Sequence, residues 1–200
     1  MMNPLANIAI NQAIWFLCVL WGNGGVPYAL ALLLLGLLLS SRRTADLQMM
    51  LFLLGVGLCL DGTLQVLGFF TFREAQTPIP LWLATVWAAL ALLPHHSLQW
   101  MKGRPLLAAL FGGIGGPLAY WAGVRLGAAS FTLPLLPSLA ILAVLWAVLW
   151  PAVMAVARRQ IGRKPPQPDP SQHRSSGRRS GTGTSGSKPS FHSRDTYSLQ

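Results

Sequence analysis

The chain has 200 residues, of which 52% are hydrophobic and only 10% are charged, and its formal net charge is +10. Soluble domains carry about 25% charged residues, so this composition predicts a membrane protein. The positive residues lie between apolar runs and in the C-terminal segment, which is typical of membrane proteins and not of a nucleic-acid-binding surface. We therefore expect membrane lipids as partners and no nucleic acid.

Six apolar segments approach the length of about 20 residues that a helix needs to cross the hydrocarbon core. They predict an all-α, multi-pass membrane bundle with helices at residues 5–21, 26–41, 47–70, 80–100, 105–124 and 132–157. WGNGGVP between the first two segments is typical of a tight turn. No Lys or Arg precedes the first apolar run, which favours a retained helix over a cleaved signal.

The bundle is expected to occupy residues 1–159, and the composition changes beyond it. The segment 160–200 is rich in Pro, Ser, Gly and Arg and nearly lacks aliphatic residues. Such a segment cannot bury enough apolar surface to offset chain entropy. We predict a disordered, basic cytoplasmic tail.

Lys and Arg are unequally divided between the two sets of predicted connections. One set, with the segment after the last helix, carries eight of them: Arg42, Arg43, Lys102, Arg104, Arg158, Arg159, Arg163 and Lys164. The opposite set carries two, Arg73 and Arg125. Because positive residues favour the cytoplasmic side, we expect both termini inside and the connections near 22–25, 71–79 and 125–131 outside.

The third predicted helix carries a carboxylate at membrane depth. Asp61 shares one helical face with Gly57, Gln65 and Gly68 and lies 14 residues beyond Leu47, or about 21 Å along the axis. A bare carboxylate there costs about 2.5–3.5 kcal/mol on insertion scales, so Asp61 needs a partner. Arg125, at the outer end of the fifth helix, is the expected one; its long side chain can extend outward to water or turn inward toward Asp61, and the inward position is favoured. Fixing the helix register is favoured over ion or proton handling, because no relay of further acids is evident.

Polar residues on the first and fourth predicted helices lie at a similar depth in the inner half. Asn7 and Asn11 share one face of the first helix. In LLPHHSLQW, Pro94 predicts a kink, His96 is expected to approach the two amides, and His95 turns away. Hydrogen bonding is favoured over acid–base catalysis, because no acid is expected near these rings.

The sequence predicts no catalytic residue, no cofactor and no metal site. Cys18 and Cys59 both lie in apolar runs, where a free thiol packs as a small hydrophobic group. We therefore expect no disulfide bond.

The fifth predicted helix contains FGGIGGPLAYWAG. Gly112 and Gly116 form a G-x-x-x-G pair, and Gly123 begins a second pair. Small residues let helices approach closely in a membrane, so close packing with a local kink at Pro117 is favoured over an unwound transporter segment. A monomer, a homodimer through the Gly112/Gly116 face and a complex with another membrane protein all remain open.

Four stretches together carry a family resemblance: NPLANIAINQAIWFLCVLWG, LCLDGTLQVLG, PIPLWLATVWAALALLPHHSLQWM and GGIGGPLAYWAGVRLGA. In this order, over roughly residues 3–150, they resemble a family of small bacterial inner-membrane proteins classed only as a domain of unknown function (family 2878). The resemblance implies a helical fold in the bacterial inner membrane. It implies no particular activity and no catalytic residues.

Three function classes are open. A non-enzymatic membrane component that binds lipid or a partner is favoured, because no catalytic constellation is evident. A small transporter or ion pathway requires a water-accessible cavity that joins Asp61 and Gln65 to Asn11 and His96. A membrane enzyme acting on lipid, with His96 as acid or base, requires a nucleophile or metal that the sequence does not reveal.

Overall fold

The computed structural model describes residues 3–74 and 76–162, and this part of the chain is mostly helical. The helices are α1 Pro4–Trp21, α2 Val26–Leu39, α3 Arg43–Val66, α4 Leu81–Leu90, α5 Pro105–Arg125 and α6 Leu135–Gly162. Two short strands, β1 Phe70–Phe72 and β2 Ala129–Phe131, pair in antiparallel fashion. The predicted tail lies outside the described residues, except for its first positions, which belong to the last turn of α6.

Four helical stretches of the described residues are long and apolar enough to cross a membrane: Pro4–Leu39, Arg43–Val66, Pro105–Arg125 and Leu135–Gln160. The first stretch contains α1, a 3-10 turn at Gly22–Gly25, and α2. Gly22 has a φ of 58°, and a Cβ added there would overlap the Glu74 carboxylate. The turn therefore requires glycine for its left-handed conformation, whereas the end of the flexible Glu74 side chain can move to make space.

The ends of α3 and α5 are built alike, and each leads into a strand. After α3, Gly68 has a φ of 69°, and the Phe69 amide donates to the Leu64 carbonyl at 2.9 Å. After α5, Gly127 has a φ of 78°, and the Ala128 amide donates to the Gly123 carbonyl at 2.9 Å. These are Schellman caps, in which a left-handed glycine ends the helix. Gly68 therefore stops α3 and does not extend the Asp61 face.

The fourth predicted helix, over 80–100, is much shorter in the structure. α4 ends at Leu90 after 10 residues, or about 15 Å, which is half the thickness of the hydrocarbon core. Pro94 has no N–H, and its ring would clash with the carbonyl of Leu90, four residues earlier. The helix therefore ends before Pro94 instead of bending at it.

The eight residues that follow α4, at 91–98, are irregular but enclosed by protein. All residues from Ala91 to Leu98 are buried, and a 3-10 turn follows at Gln99–Met101. Short-range hydrogen bonds satisfy part of this backbone, for example from the Leu98 amide to the Leu93 carbonyl at 3.0 Å. Non-helical backbone at membrane depth is tolerated only where protein or a wet cavity covers it. The enclosure therefore explains how His95 and His96 come to lie inside the molecule.

α5 and α6 form a closely packed pair. A Cβ added at Gly112 would lie 2.6 Å from the Trp150 Cβ, and one at Gly116 would overlap the Trp146 indole. α6 of the same chain therefore covers the Gly112/Gly116 face that the sequence offered for a homodimer. α5 continues as a helix through Pro117.

Candidate functional site

Two carboxylates on α3 have no exposed surface, since Asp46 and Asp61 are each 0% exposed. The 15 positions from 46 to 61 correspond to about 22 Å along the helix, so the two groups lie near opposite ends of α3. Burial of a charged or polar group is costly unless it is hydrogen-bonded. The partners of each carboxylate therefore define the two polar centres of the molecule.

Asp61 is held by two aromatic donors from other helices. Its Oδ2 accepts a hydrogen bond from Trp87 Nε1 on α4 at 2.7 Å, and its Oδ1 accepts one from the Tyr120 hydroxyl on α5 at 2.6 Å. Gly57 lies one turn earlier on α3, and a Cβ there would overlap the Trp87 ring. The glycine therefore makes room for the indole that binds Asp61.

The predicted pair of Asp61 with Arg125 is not formed, because both carboxylate oxygens are bonded to Trp87 and Tyr120. Arg125 is exposed at the end of α5, about 7.5 Å along the axis from Tyr120. Neutral aromatic donors satisfy the carboxylate without the desolvation of a guanidinium. Gln65 donates instead to the Gln76 carbonyl at 3.2 Å, in the connection before α4.

Asp46 is the centre of a second cluster, which we call the inner cluster: Ser40, Asp46, His95 and His96. Asp46 Oδ1 lies 3.0 Å from His95 Nδ1, and Oδ2 lies 2.9 Å from His96 Nε2. The Ser40 hydroxyl donates to Oδ2 at 2.5 Å. These contacts join the connection between α2 and α3 to the irregular segment after α4.

The expectation that no acid lies near His96 was wrong, and His95 does not turn away from the interior. Asp46 was missed because the predicted third helix began at position 47, beside the charged residues Arg42 and Arg43. One available signal pointed to it. Asp46 precedes Gly57 by 11 positions and Asp61 by 15, so all three residues lie on one face of α3. Buried Met49 and Leu53 lie on the same face between them.

Asn7 and Asn11 lie on the same helix but have different surroundings. The Asn7 amide accepts from the Ser97 hydroxyl at 2.6 Å and donates to the Leu92 carbonyl at 3.4 Å. It therefore binds the segment that carries His96, but not His96 itself. Asn11, one turn further along α1, lines a cavity.

The geometry of the inner cluster does not activate a serine nucleophile. In a catalytic triad the histidine uses one ring nitrogen for the serine and the other for the acid. Here Ser40 Oγ and Asp46 Oδ2 both contact His96 Nε2, at 3.2 and 2.9 Å, and the Ser40 hydroxyl donates its hydrogen bond to Asp46. The cluster is therefore arranged to hold chain segments together.

Two polar atoms beside this cluster are buried without a hydrogen-bond partner among the described residues, His95 Nε2 and Lys102 Nζ. Burial lowers the pKa of Lys102 to about 8, the positive charge of Arg42 adds to this effect, and Asp46 opposes it. Within the described residues, no group of three or more His, Cys, Asp or Glu side chains is placed to hold a metal. Cys18 and Cys59 are free thiols.

A cavity of about 490 Å³ lies between α1 and α4 on one side and α5 and α6 on the other. Its volume is within the range of small-molecule sites. Its aromatic walls include Trp15, Trp82, Trp87, Tyr120, Trp146 and Trp150, and none of the described residues that line it is charged. Trp87 and Trp146 stack, with ring centroids 5.4 Å apart.

Asp61 lies behind the cavity wall, because its two donors, Trp87 and Tyr120, are both lining residues. Gly123 also lines the cavity, and a Cβ there would meet nothing within 4 Å, so it has no close packing contact of the kind made by Gly112. The lining includes Asn11 but neither Gln65 nor His96. Exposed rim residues come from α1, with Phe16, and from α5, with Phe111 and Leu118.

The apolar helices and the enclosed polar groups define the class of protein as a helical protein with the features of a membrane protein. Residues 4–152 match a family described as protein of unknown function (DUF2878), and the chain belongs to this family. The family expected from the sequence is thereby confirmed. No curated protein and no solved structure matches the chain.

Proposed function

We propose that this protein is a multi-pass membrane component that binds an apolar, lipid-like molecule in the cavity between α1, α4, α5 and α6. The observation that carries the proposal is the cavity itself, with aromatic and aliphatic walls and, among the residues that the structure describes, no charged lining residue. An apolar pocket with a few placed polar groups is the usual form of a small-molecule site. The exposed rim between α1 and α5 supports entry of the ligand from the lipid phase.

Asp61 contributes to this function by positioning the wall. Its hydrogen bonds fix the Trp87 indole and the Tyr120 ring, and Trp87 in turn stacks on Trp146. A preformed wall lowers the entropy that binding would otherwise lose. Asp61 is therefore a positioning residue behind the site.

The test fills the cavity without disturbing the fold. Gly115 lines the cavity, and a Cβ there would meet nothing within 4 Å, so Gly115→Leu places a side chain in open space. Gly55 is the matched control, because it is a helical glycine with equally open surroundings and is not a lining residue. Native mass spectrometry of protein released from lipid nanodiscs should detect an extra mass that Gly115→Leu removes and Gly55→Leu retains. Bare protein in all three samples would refute the proposal.

The proposal includes six membrane crossings, both termini in the cytoplasm, and location in the bacterial inner membrane. α4 with the residues up to Met101 would form the fourth crossing, and the excess of Lys and Arg supports the orientation. Ser41 and Ser130 are exposed and lie in connections of opposite predicted sides. In a Cys59→Ser background, a membrane-impermeant thiol reagent should label Ser130→Cys from outside and Ser41→Cys only after lysis.

A small transporter or ion pathway is the second candidate, and the interrupted α4 favours it. Discontinuous helices near the midplane form the binding sites of many transporters. Proteoliposomes with a pH-sensitive dye inside would reveal a proton pathway, and Asp61→Asn should abolish it. A lipid-modifying enzyme has less support, because the Ser40 hydroxyl is bonded to Asp46 and is not activated by His96.

A further inference from the structure

We propose that the ligand of this cavity is a neutral, elongated molecule whose carbonyl oxygens accept hydrogen bonds from the indole N–H groups of Trp82 and Trp150. This inference rests on the proposed function and adds the chemical class of the ligand.

Three indole nitrogens of the cavity wall have no acceptor among the described residues. Trp82 is 4% exposed, Trp146 is 8% exposed and Trp150 is 1% exposed, and all three line the cavity. Nε1 of each is buried and has no hydrogen-bond partner among the described residues. The indole N–H is a donor only, and in buried tryptophans it usually finds an acceptor. A bound molecule that supplies acceptor oxygens would satisfy these groups.

Trp87 provides an internal comparison. It lies on the same helix as Trp82 and lines the same cavity, but its N–H is satisfied by Asp61. The chain therefore supplies its own acceptor for the indole at the middle of the wall. Of the three lining indoles without an acceptor among the described residues, Trp146 stacks on Trp87, and Trp82 and Trp150 lie on either side of that point.

The positions of Trp82 and Trp150, the outer two of these donors, imply an elongated ligand. Trp82 precedes Trp87 by five residues, about 7.5 Å along α4, and Trp150 follows Trp146 by four residues, about 6 Å along α6. Trp87 and Trp146 stack at the same level, and α4 and α6 both begin after paired strands. α4 and α6 therefore start at the same end of the bundle. Nε1 of Trp82 and Nε1 of Trp150 are then separated by about 13 Å along the bundle axis.

The absence of charge in the lining implies a neutral ligand. Within residues 3–74 and 76–162, no Lys, Arg or His lines the cavity to compensate a carboxylate or phosphate. The buried Asp61, behind Trp87 and Tyr120, would also repel an anion. A long apolar molecule with ester or ketone oxygens has the required chemistry. It has two possible sources, the ester carbonyls of a membrane lipid and a free molecule without a phosphate headgroup.

The experiment compares two probes of similar length in nanodiscs of ether-linked phosphatidylcholine, which has no carbonyl group. The probes are methyl stearate, labelled with ¹³C at its carbonyl, and the hydrocarbon eicosane. Native mass spectrometry gives the occupancy of the wild-type protein at each probe concentration. We expect the ester to bind about threefold to tenfold more tightly, which is the effect of one net hydrogen bond.

Trp82→Phe and Trp150→Phe should each reduce this preference for the ester, and the triple variant that also carries Trp146→Phe should abolish it. Binding of eicosane should stay near the wild-type value. Trp121→Phe is the matched control, because Trp121 is exposed on α5 and does not line the cavity. The infrared band of the ¹³C-labelled carbonyl gives a readout on the wild type alone, and a hydrogen-bonded carbonyl absorbs at lower frequency than a free one.

The outcomes separate the two proposals. If ester and hydrocarbon bind equally and the carbonyl band is unshifted, the inference on ligand class is wrong, whereas the cavity remains a binding site. If neither probe binds and Gly115→Leu changes nothing, the proposed function is itself wrong. Protein released from ester-lipid nanodiscs identifies the source, since a lipid mass indicates membrane lipid and a smaller co-purified mass indicates a free molecule.

Discussion

Asp46 and Asp61 are two buried carboxylates on one helix, and their surroundings differ. Asp46 contacts Ser40, His95 and His96, which belong to two connecting segments of the chain. Asp61 contacts Trp87 and Tyr120, which are side chains of two regular helices. Asp46 therefore organises irregular backbone near one end of α3, and Asp61 organises the wall of the cavity near the other.

The difference shows that a buried acidic residue in an apolar helix can have different structural roles, depending on its hydrogen-bond partners. A carboxylate with histidine and serine partners holds a segment that has lost its helical hydrogen bonds. A carboxylate with tyrosine and tryptophan partners orients large rings around an empty space. The two roles predict different consequences when each acid is removed.

The largest effect is expected for Asp46→Leu. This substitution leaves the polar atoms of Ser40, His95 and His96 buried without their common acceptor, and we expect a loss of at least about 3 kcal/mol of unfolding free energy. Equilibrium unfolding in mixed micelles, followed by circular dichroism, measures it. Asp46→Asn keeps one acceptor oxygen and should lose less. Equal losses for the two variants would contradict this account of the inner cluster.

A smaller loss, of about 2–3 kcal/mol, is expected for Asp61→Leu, because only the two neutral donors of Trp87 and Tyr120 lose their acceptor. The ligand mass retained from nanodiscs should also decrease, since the wall is no longer fixed. Replacing both partners of a buried hydrogen bond is nearly neutral. The triple variant Asp61→Leu/Trp87→Phe/Tyr120→Phe should therefore recover most of the stability, and failure to recover would mean that Asp61 acts through another contact.

Lys102, beside the inner cluster, gives the stability of the protein a pH dependence. Its pKa is about 8 in the folded protein against 10.5 for the free side chain. Between these values the unfolded chain binds more protons, so this group makes stability rise as pH increases from 8 to 10.5. The melting temperature of wild type minus that of Lys102→Gln should increase over this range. A constant difference would show that Lys102 is solvated in the folded state.

The smallest effect is expected for Arg125→Gln, within about 0.5 kcal/mol of wild type, because Arg125 is exposed and does not pair with Asp61. Arg73→Gln is the informative comparison, since the Arg73 guanidinium donates to the Val19 carbonyl at 3.3 Å. It should destabilise the protein more than Arg125→Gln does. If Arg125→Gln lowered the free energy of unfolding as much as Asp61→Leu does, Arg125 would be paired with Asp61, as the sequence predicted.

The candidate site was predictable in part. The need of Asp61 for a partner followed from its depth. His96 was expected to approach Asn7 and Asn11, whereas Asn7 contacts Ser97 and Leu92 of the same segment. The role of Asp46 was missed because Arg42 and Arg43 beside it are typical of an interfacial connection. The end of α4 was placed ten residues too late, since Pro94 was expected to bend the helix and instead ended it at Leu90.

By itself, the sequence determined the helical membrane class, the family, and the approximate positions of α1, α2, α3, α5 and α6. These features depend on local composition, because a chain in lipid must satisfy its backbone within each segment. Only the tertiary structure decided the partners of the carboxylates and the existence of the cavity. Trp87 is 26 positions from Asp61 and Tyr120 is 59, so these contacts depend on how distant helices pack and not on any local pattern.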